Sequence, residues 1–259
     1  GRQPGAVVIS VHGDILVANP FEFKDKCRMQ KLAGFSYIEV LSPTLENHPE
    51  LRESPDCWTI VLFHGFGADA YDLQSLAEVL RPGKPTRFIF PQGPLSVPIG
   101  PGWTGRAWWE IKLTDLEGRT PEAEKSWIES QPPRLPKLRE GLLDFLGQLE
   151  PKTERLILGG FSQGSMLAFD LFISLPEAPR GLILWSSALI NREQWKAEAP
   201  KRKGSRIFQS HGEQDPVLPL RAGSRLNSLI NEAGLQGGLF SFQGTHEIPW
   251  NVIEKTNAY

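Results

Sequence analysis

The sequence predicts an α/β fold with a mostly parallel central sheet, helices on both faces and N-terminal strands at the sheet edge. Three observations predict it. Short, continuous apolar runs such as Trp58–Phe63 alternate with helically spaced apolar patterns from about residue 58 onward. Gly-rich turns directly follow these runs, and the carboxyl ends of parallel strands are where α/β sheets build their sites. The third is size: 259 residues can bury a large core as one domain without disulfide staples.

The elements follow in order. Residues 6–11 have strand character, with residues 14–18 as hairpin partner across His12-Gly13. Phe35–Leu41 alternates Phe35, Tyr37, Glu39 and Leu41 against Ser36, Ile38 and Val40, a strand. Residues 43–55 are polar and expected to form a loop. Trp58–Phe63 is a strand buried on both faces. Residues 71–80 place apolar side chains at 73, 76, 77 and 80, the spacing of a helix that Pro82-Gly83 stops. Residues 87–90 form another buried strand. Residues 91–108 are dense in Gly and Pro and predict a long loop. Residues 135–149 carry a helical stripe. Residues 155–158 form a strand, residues 165–174 a helix, and residues 182–185 and 206–209 two more strands. Residues 220–231 form a helix, Leu239–Phe242 a last strand, and a short final helix follows. Residues 1–34 are set apart as an extension, with an edge hairpin as one expected form, ahead of a catalytic unit at 35–259.

Composition excludes several functions. The chain carries 28 Lys+Arg against 30 Asp+Glu, a formal charge of −2. A nucleic-acid binder usually shows a strongly basic face, so no nucleic-acid partner is expected. No apolar stretch reaches 18 residues, so no stable membrane insertion is expected. Cys27 and Cys57 make no disulfide framework; they are expected as free thiols, a disulfide between them being the alternative. Gly1-Arg2-Gln3-Pro4 has neither an initiator Met nor an apolar signal core, so an export signal could have been removed; the expected location is cytoplasmic.

The chemistry centres on Gly160-Phe161-Ser162-Gln163-Gly164. Alone, this pentapeptide could be a Gly-rich turn with an incidental Ser. A strand before it and a helix after it make it a nucleophile elbow, in which the flanking positions have no room for side chains. A serine hydroxyl needs a general base and a group that orients that base. The chain order of this architecture is Ser, acid, then His. Asp215 follows the strand at 206–209, and Pro216 restricts it to extended backbone. Its rivals are Glu213 and Asp170, the latter within the elbow helix. Of His12, His48, His64, His211 and His246, only His246 fits the order; His211 suits a structural hydrogen bond at its strand end. The oxyanion hole is expected from the backbone N–H groups of Gln163 and of Phe66, in His64-Gly65-Phe66-Gly67.

These segments, with His211-Gly212-x-x-Asp215-Pro216-Val217-x-Pro219 and Gly244-x-His246, resemble the phospholipase/carboxylesterase family of α/β-hydrolases, which includes the acyl-protein thioesterases. The resemblance spans about residues 35–250. It implies a serine hydrolase of carboxylic esters or thioesters, working through an acyl-enzyme without metal or cofactor. The substrate implied is a small-molecule or lipid acyl ester, and the chain a monomer or homodimer. Pro91-Gln92-Gly93-Pro94 through Trp108-Trp109-Glu110-Ile111 also resembles the family, which implies that Trp108 or Trp109 lines the acyl pocket. The other reading of these indoles is core or loop packing. Where relatives place a second Gly after the elbow, this chain has Ser165. The triad alone does not separate a hydrolase from a peptidase or acyltransferase on the same fold; a non-catalytic binding module is the remaining alternative.

Overall fold

The computed structural model describes residues 28–111 and 127–259 in full, and residues 9–11 and 14–16 as backbone. Residues 6–8 and 17–18 of the expected hairpin, its turn at 12–13, and Cys27 lie outside the described residues. The strands are β1 (Ile9–Val11), β2 (Asp14–Leu16), β3 (Gln30–Leu32), β4 (Phe35–Leu41), β5 (Trp58–Phe63), β6 (Thr86–Pro91), β7 (Leu95–Gly100), β8 (Trp103–Ala107), β9 (Leu156–Phe161), β10 (Gly181–Trp185), β11 (Ile207–Gly212) and β12 (Leu239–Phe242). The named helices are α1 (Pro43–Asn47), α2 (Leu76–Val79), α3 (Leu135–Gln148), α4 (Gln163–Ser174), α5 (Arg192–Glu198), α6 (Leu220–Glu232) and α7 (Trp250–Ala258).

Eight strands form one sheet in the order β12-β11-β10-β9-β5-β6-β4-β3. The six from β12 to β6 are parallel; β4 and β3 close one edge antiparallel. The sheet therefore begins at Gln30, inside the N-terminal segment that precedes the region of resemblance. β1 and β2 pair antiparallel as a separate ribbon.

Both faces of the parallel strands are covered, which explains their unbroken apolar runs. Side chains alternate between the faces with the period of a strand. Val61, Phe63, Leu158, Leu182 and Leu184 meet α3, α4 and α6 on one side. Ile60, Leu62, Ile157, Ile183 and Trp185 meet α2 and α7 on the other. The elbow helix α4 is buried along nearly its whole length, as its apolar sequence requires.

Several expectations are corrected. Residues 43–53 fold into α1 and a 3-10 turn at Pro49–Glu53 rather than a loop. The helix expected over 71–80 is regular only at Leu76–Val79. Turns with i to i+3 bonds, such as Leu76 N–H to Leu73 C=O, precede it. The apolar spacing of 3 and 4 suits such turns as well as an α-helix. The segment 91–108 holds the β7–β8 hairpin, in which Leu95, Val97 and Ile99 point inward and Ser96, Pro98 and Gly100 outward. Pro98 disguised this strand, because a proline argues against a strand unless it sits at an edge or bulge; the register shifts between Pro98 and Gly100. The short α5 was not expected. Cys57 is a free thiol.

Candidate active site

Ser162 closes β9 and starts α4 with φ 54° and ψ −120°. A non-glycine residue rarely adopts this conformation, and the surroundings must hold it there. Ser162 N–H donates to Trp185 C=O at 3.0 Å, and its own carbonyl accepts from Ser165 N–H at 3.0 Å and Ser165 Oγ at 2.6 Å. A Cβ at Gly164 would overlap the carbonyl of Phe63, so only glycine lets α4 start this close to β5. The same absence of space holds at Gly160, whose Cβ would lie 2.7 Å from the Phe63 carbonyl oxygen.

Asp215 is buried in the loop after β11. Its Oδ1 accepts from the Val217 and Leu218 amides, both at 2.8 Å, an Asx-type turn that fixes the carboxylate. Its Oδ2 accepts from His246 Nδ1 at 2.6 Å. The His246 side chain is 16% exposed, with Nε2 on the side of the ring away from Asp215. The two loops meet because Gly212 lacks a side chain: a Cβ there would overlap the Thr245 carbonyl. Glu213 N–H to Phe242 C=O and Gln214 N–H to Gly244 C=O stitch them together. The Phe161 ring lies 4.7 Å from the His246 ring, so the imidazole stands beside the elbow. Glu213 instead receives Ser241 Oγ and Gln243 Nε2, and Asp170 is bound by Arg139 and Trp195; neither rival meets His246.

His211 is fully buried behind Asp215. Its Nε2 donates to Leu218 C=O at 2.6 Å and lies 3.5 Å from Asp215 Oδ2. Burial pushes its pKa below the ordinary imidazole range. This is the structural hydrogen bond expected of it at its strand end.

His64 carries a second set of contacts. Gly93 N–H donates to His64 Nε2 at 2.9 Å, so the ring proton is on Nδ1, which donates to Gly65 C=O at 2.7 Å. Burial holds its pKa down at about 4, so the ring is neutral. Because the Gly65–Phe66 peptide is trans, fixing its carbonyl points the Phe66 N–H the opposite way within the peptide plane. Gly65 itself adjoins the elbow: a Cβ there would lie 3.5 Å from Ser162 Cβ.

Trp108 and Trp109 are buried, at 0% and 2% exposure. Neither ring offers a face to an acyl chain in this conformation. The Trp108 ring packs edge-on against Phe63 at 5.3 Å and lies 5.0 Å from the His64 ring. Its indole N–H donates to His64 C=O at 2.9 Å. The Gln163 side chain accepts from Trp108 N–H at 3.0 Å and donates to Trp109 C=O at 2.9 Å. Gln163 and the Gly65–Phe66 peptide are thus joined through Trp108 and His64. No periodicity in the sequence signals this circuit, because its members lie about 45 and 55 residues apart.

The comparisons with known proteins agree with this architecture. Residues 50–259 match the family model described as Phospholipase/Carboxylesterase. Acyl-protein thioesterase 1 of Mycosarcoma maydis is 29% identical over 200 residues, covering 74% of this chain and 83% of that protein. The enzyme of the same name from Kluyveromyces lactis is 29% identical over 180 residues, 64% of this chain and 72% of that one. Among solved structures, esterase PE8 superposes with TM-score 0.64 at 26% identity, covering 78% of this chain and 90% of that one. The Bacillus cereus carboxylesterase has TM-score 0.60 at 16% identity, covering 93% and 97%, a likeness of fold. With four-fifths of its length matched by one family model, and the elbow and loops arranged as above, this chain belongs to the phospholipase/carboxylesterase family of α/β-hydrolases.

Proposed function

We propose that this hydrolase of the esterase and thioesterase type works through an acyl-enzyme on Ser162. The observation that carries the proposal is the relay at the sheet's carboxyl edge. A strained serine directly follows Phe161, whose ring lies 4.7 Å from an imidazole tied, at 2.6 Å, to a buried carboxylate.

Ser162 Oγ attacks the acyl carbon, and His246 Nε2 takes its proton. Asp215 keeps the proton on Nδ1 and stabilises the imidazolium that forms. The backbone N–H groups of Phe66 and Gln163 receive the oxyanion; neither donates to another described residue. Collapse of the tetrahedral species breaks the bond to the alcohol or thiol, which leaves with the proton from His246. Water then attacks the acyl-enzyme with His246 as base, and the carboxylic acid departs as Ser162 regains its proton.

Trp108 and the Gln163 side chain act as positioning residues. They set the spacing between the two oxyanion donors rather than touching the acyl chain. The relatives named acyl-protein thioesterase favour acyl groups carried on esters or thioesters as substrates.

The test is Ser162→Ala with p-nitrophenyl butyrate. Turnover is expected to vanish, together with covalent labelling by a fluorophosphonate. Undiminished hydrolysis by the variant refutes the assignment. A chain-length series of acyl esters beside their thioesters then defines the substrate.

A further inference from the structure

At the opposite end of the sheet from Ser162, the strands start beneath a cavity. Trp58 begins β5, Gly181 begins β10 and Arg206 precedes β11, and all three line it. Five strand steps separate Trp58 from Phe63, so this end lies roughly 17 Å from the elbow. The cavity holds about 320 Å3, near the lower bound of small-molecule sites at ~300 Å3. It opens between the end of α2 and the last turn of α7. Asn257 ties those two ends together, accepting from Arg81 N–H at 2.7 Å and donating to Val79 C=O at 3.0 Å. The frame of the cavity is therefore fixed by hydrogen bonds.

The floor is apolar: Ile60, Ile157 and Ile183 from three adjacent strands. The rim is cationic: Arg81, Arg180 and Arg206. No carboxylate side chain lines the cavity. Among the described residues, none of the three guanidinium groups is paired with a carboxylate side chain. Arg81 is spent on the Glu78 and Leu80 carbonyls. Arg180 lies 5.8 Å above the Trp58 ring, and Arg206 lies 4.7 Å above the Tyr259 ring while donating to the Tyr259 main-chain oxygen. Planar cations resting on aromatic faces are preorganised and keep donors free for a further partner. The Tyr259 hydroxyl is buried against the start of β10, where a Cβ on Gly181 would lie 2.9 Å from it. Burial, against the opposing influence of the Leu182 amide, pushes its pKa up to about 12, so it keeps its proton and remains a donor.

Arg180, resting on the Trp58 ring, and Arg206, bound to the Tyr259 main-chain oxygen, stand over an apolar floor, and this pairing is complementary to one kind of small molecule. We propose that this cavity binds a small amphiphilic anion, with its apolar body on Ile60, Ile157 and Ile183 and its carboxylate or phosphate head between Arg180 and Arg206. The site is separate from the serine and does not depend on the reaction proposed for it. The shared requirement is a single anionic head on a short apolar body; whether the head is carboxylate or phosphate is read from the test.

The test is calorimetric titration of the whole protein with octanoate and with octyl phosphate, after treatment with a fluorophosphonate to occupy Ser162. At least one of the two is expected to bind with one-to-one stoichiometry. Octanol, lacking the charge, and inorganic phosphate, lacking the body, are each expected to bind at least tenfold more weakly. Arg180→Gln/Arg206→Gln is expected to lose at least tenfold in affinity while keeping its melting temperature and its ester turnover. Both side chains are exposed, so the fold should tolerate the change; Arg180→Gln alone serves as the second variant. No binding of either amphiphile by the wild-type chain overturns the proposal. So does equal affinity in both arginine variants, or equal binding of octanol.

Discussion

Trp108→Phe separates two roles for this residue. The substitution keeps a ring against Phe63 and removes the indole N–H that donates to His64 C=O at 2.9 Å. A buried acceptor left without its donor costs about 1–3 kcal/mol. The smaller ring leaves a void of roughly 40 Å3, which adds about 1 kcal/mol. The sum, about 2–4 kcal/mol, is within the ~5–15 kcal/mol of a typical domain, so the variant folds with a lowered melting temperature. Deleting one oxyanion donor outright costs about 10²–10³ in kcat. Loosening the strut between two donors costs part of that, about tenfold or ~1.4 kcal/mol of transition-state stabilisation. The ground state does not use these donors fully, so KM should stay within about twofold. The assay is p-nitrophenyl butyrate kinetics, normalised to active sites by fluorophosphonate titration. An unchanged kcat in a destabilised protein refutes the strut. A raised KM with intact kcat favours instead the pocket-wall role that the sequence suggested.

Other outcomes follow from the same geometry. Asp215→Asn should retain both amide contacts but present an N–H to His246 Nδ1, which moves the ring proton to Nε2; turnover should fall by about 10⁴ with the circular dichroism unchanged, and a loss below tenfold contradicts the relay. The pKa of His64 is 6.5 when unperturbed and about 4 in the folded chain, so between these values the unfolded chain holds more protons. Stability should therefore decline as pH falls across that window, by about 3 kcal/mol from this group. Urea unfolding across that window checks it, and a flat profile rules out a buried neutral ring. Asp170→Ala should cost about 3–5 kcal/mol, because it strands the Arg139 guanidinium that now makes two bonds to the carboxylate, at 2.6 and 3.0 Å. A shift in urea midpoint equivalent to less than about 1 kcal/mol, the worth of an exposed pair, would mean the pair is solvated.

The sequence determined what depends on neighbours in the chain. Continuous apolar runs require strands covered on both faces, and Trp58–Phe63 and Leu239–Phe242 begin and end where the pattern placed them. Gly160 and Gly164 around Ser162 are local necessities of the elbow, so the motif and its strand–helix setting could be read directly. That Ser162, Asp215 and His246 follow successive strands of one sheet was legible, because strand succession fixes the order in which loops reach one edge of a parallel sheet. Tertiary structure alone decided contacts among residues far apart in the chain. The β7–β8 hairpin was hidden by Pro98, whose missing N–H is harmless only where no neighbour needs it. Trp108 and Trp109 are as apolar in a core as on a pocket wall, and only packing placed them inside, with Trp108 bridging His64 and Gln163. The three arginines around the distal cavity are ordinary surface residues in sequence. Arg180 and Arg206 share one rim because β10 and β11 are parallel and begin at the same end of the sheet, and Arg81, just after α2, is tied over that end by Asn257.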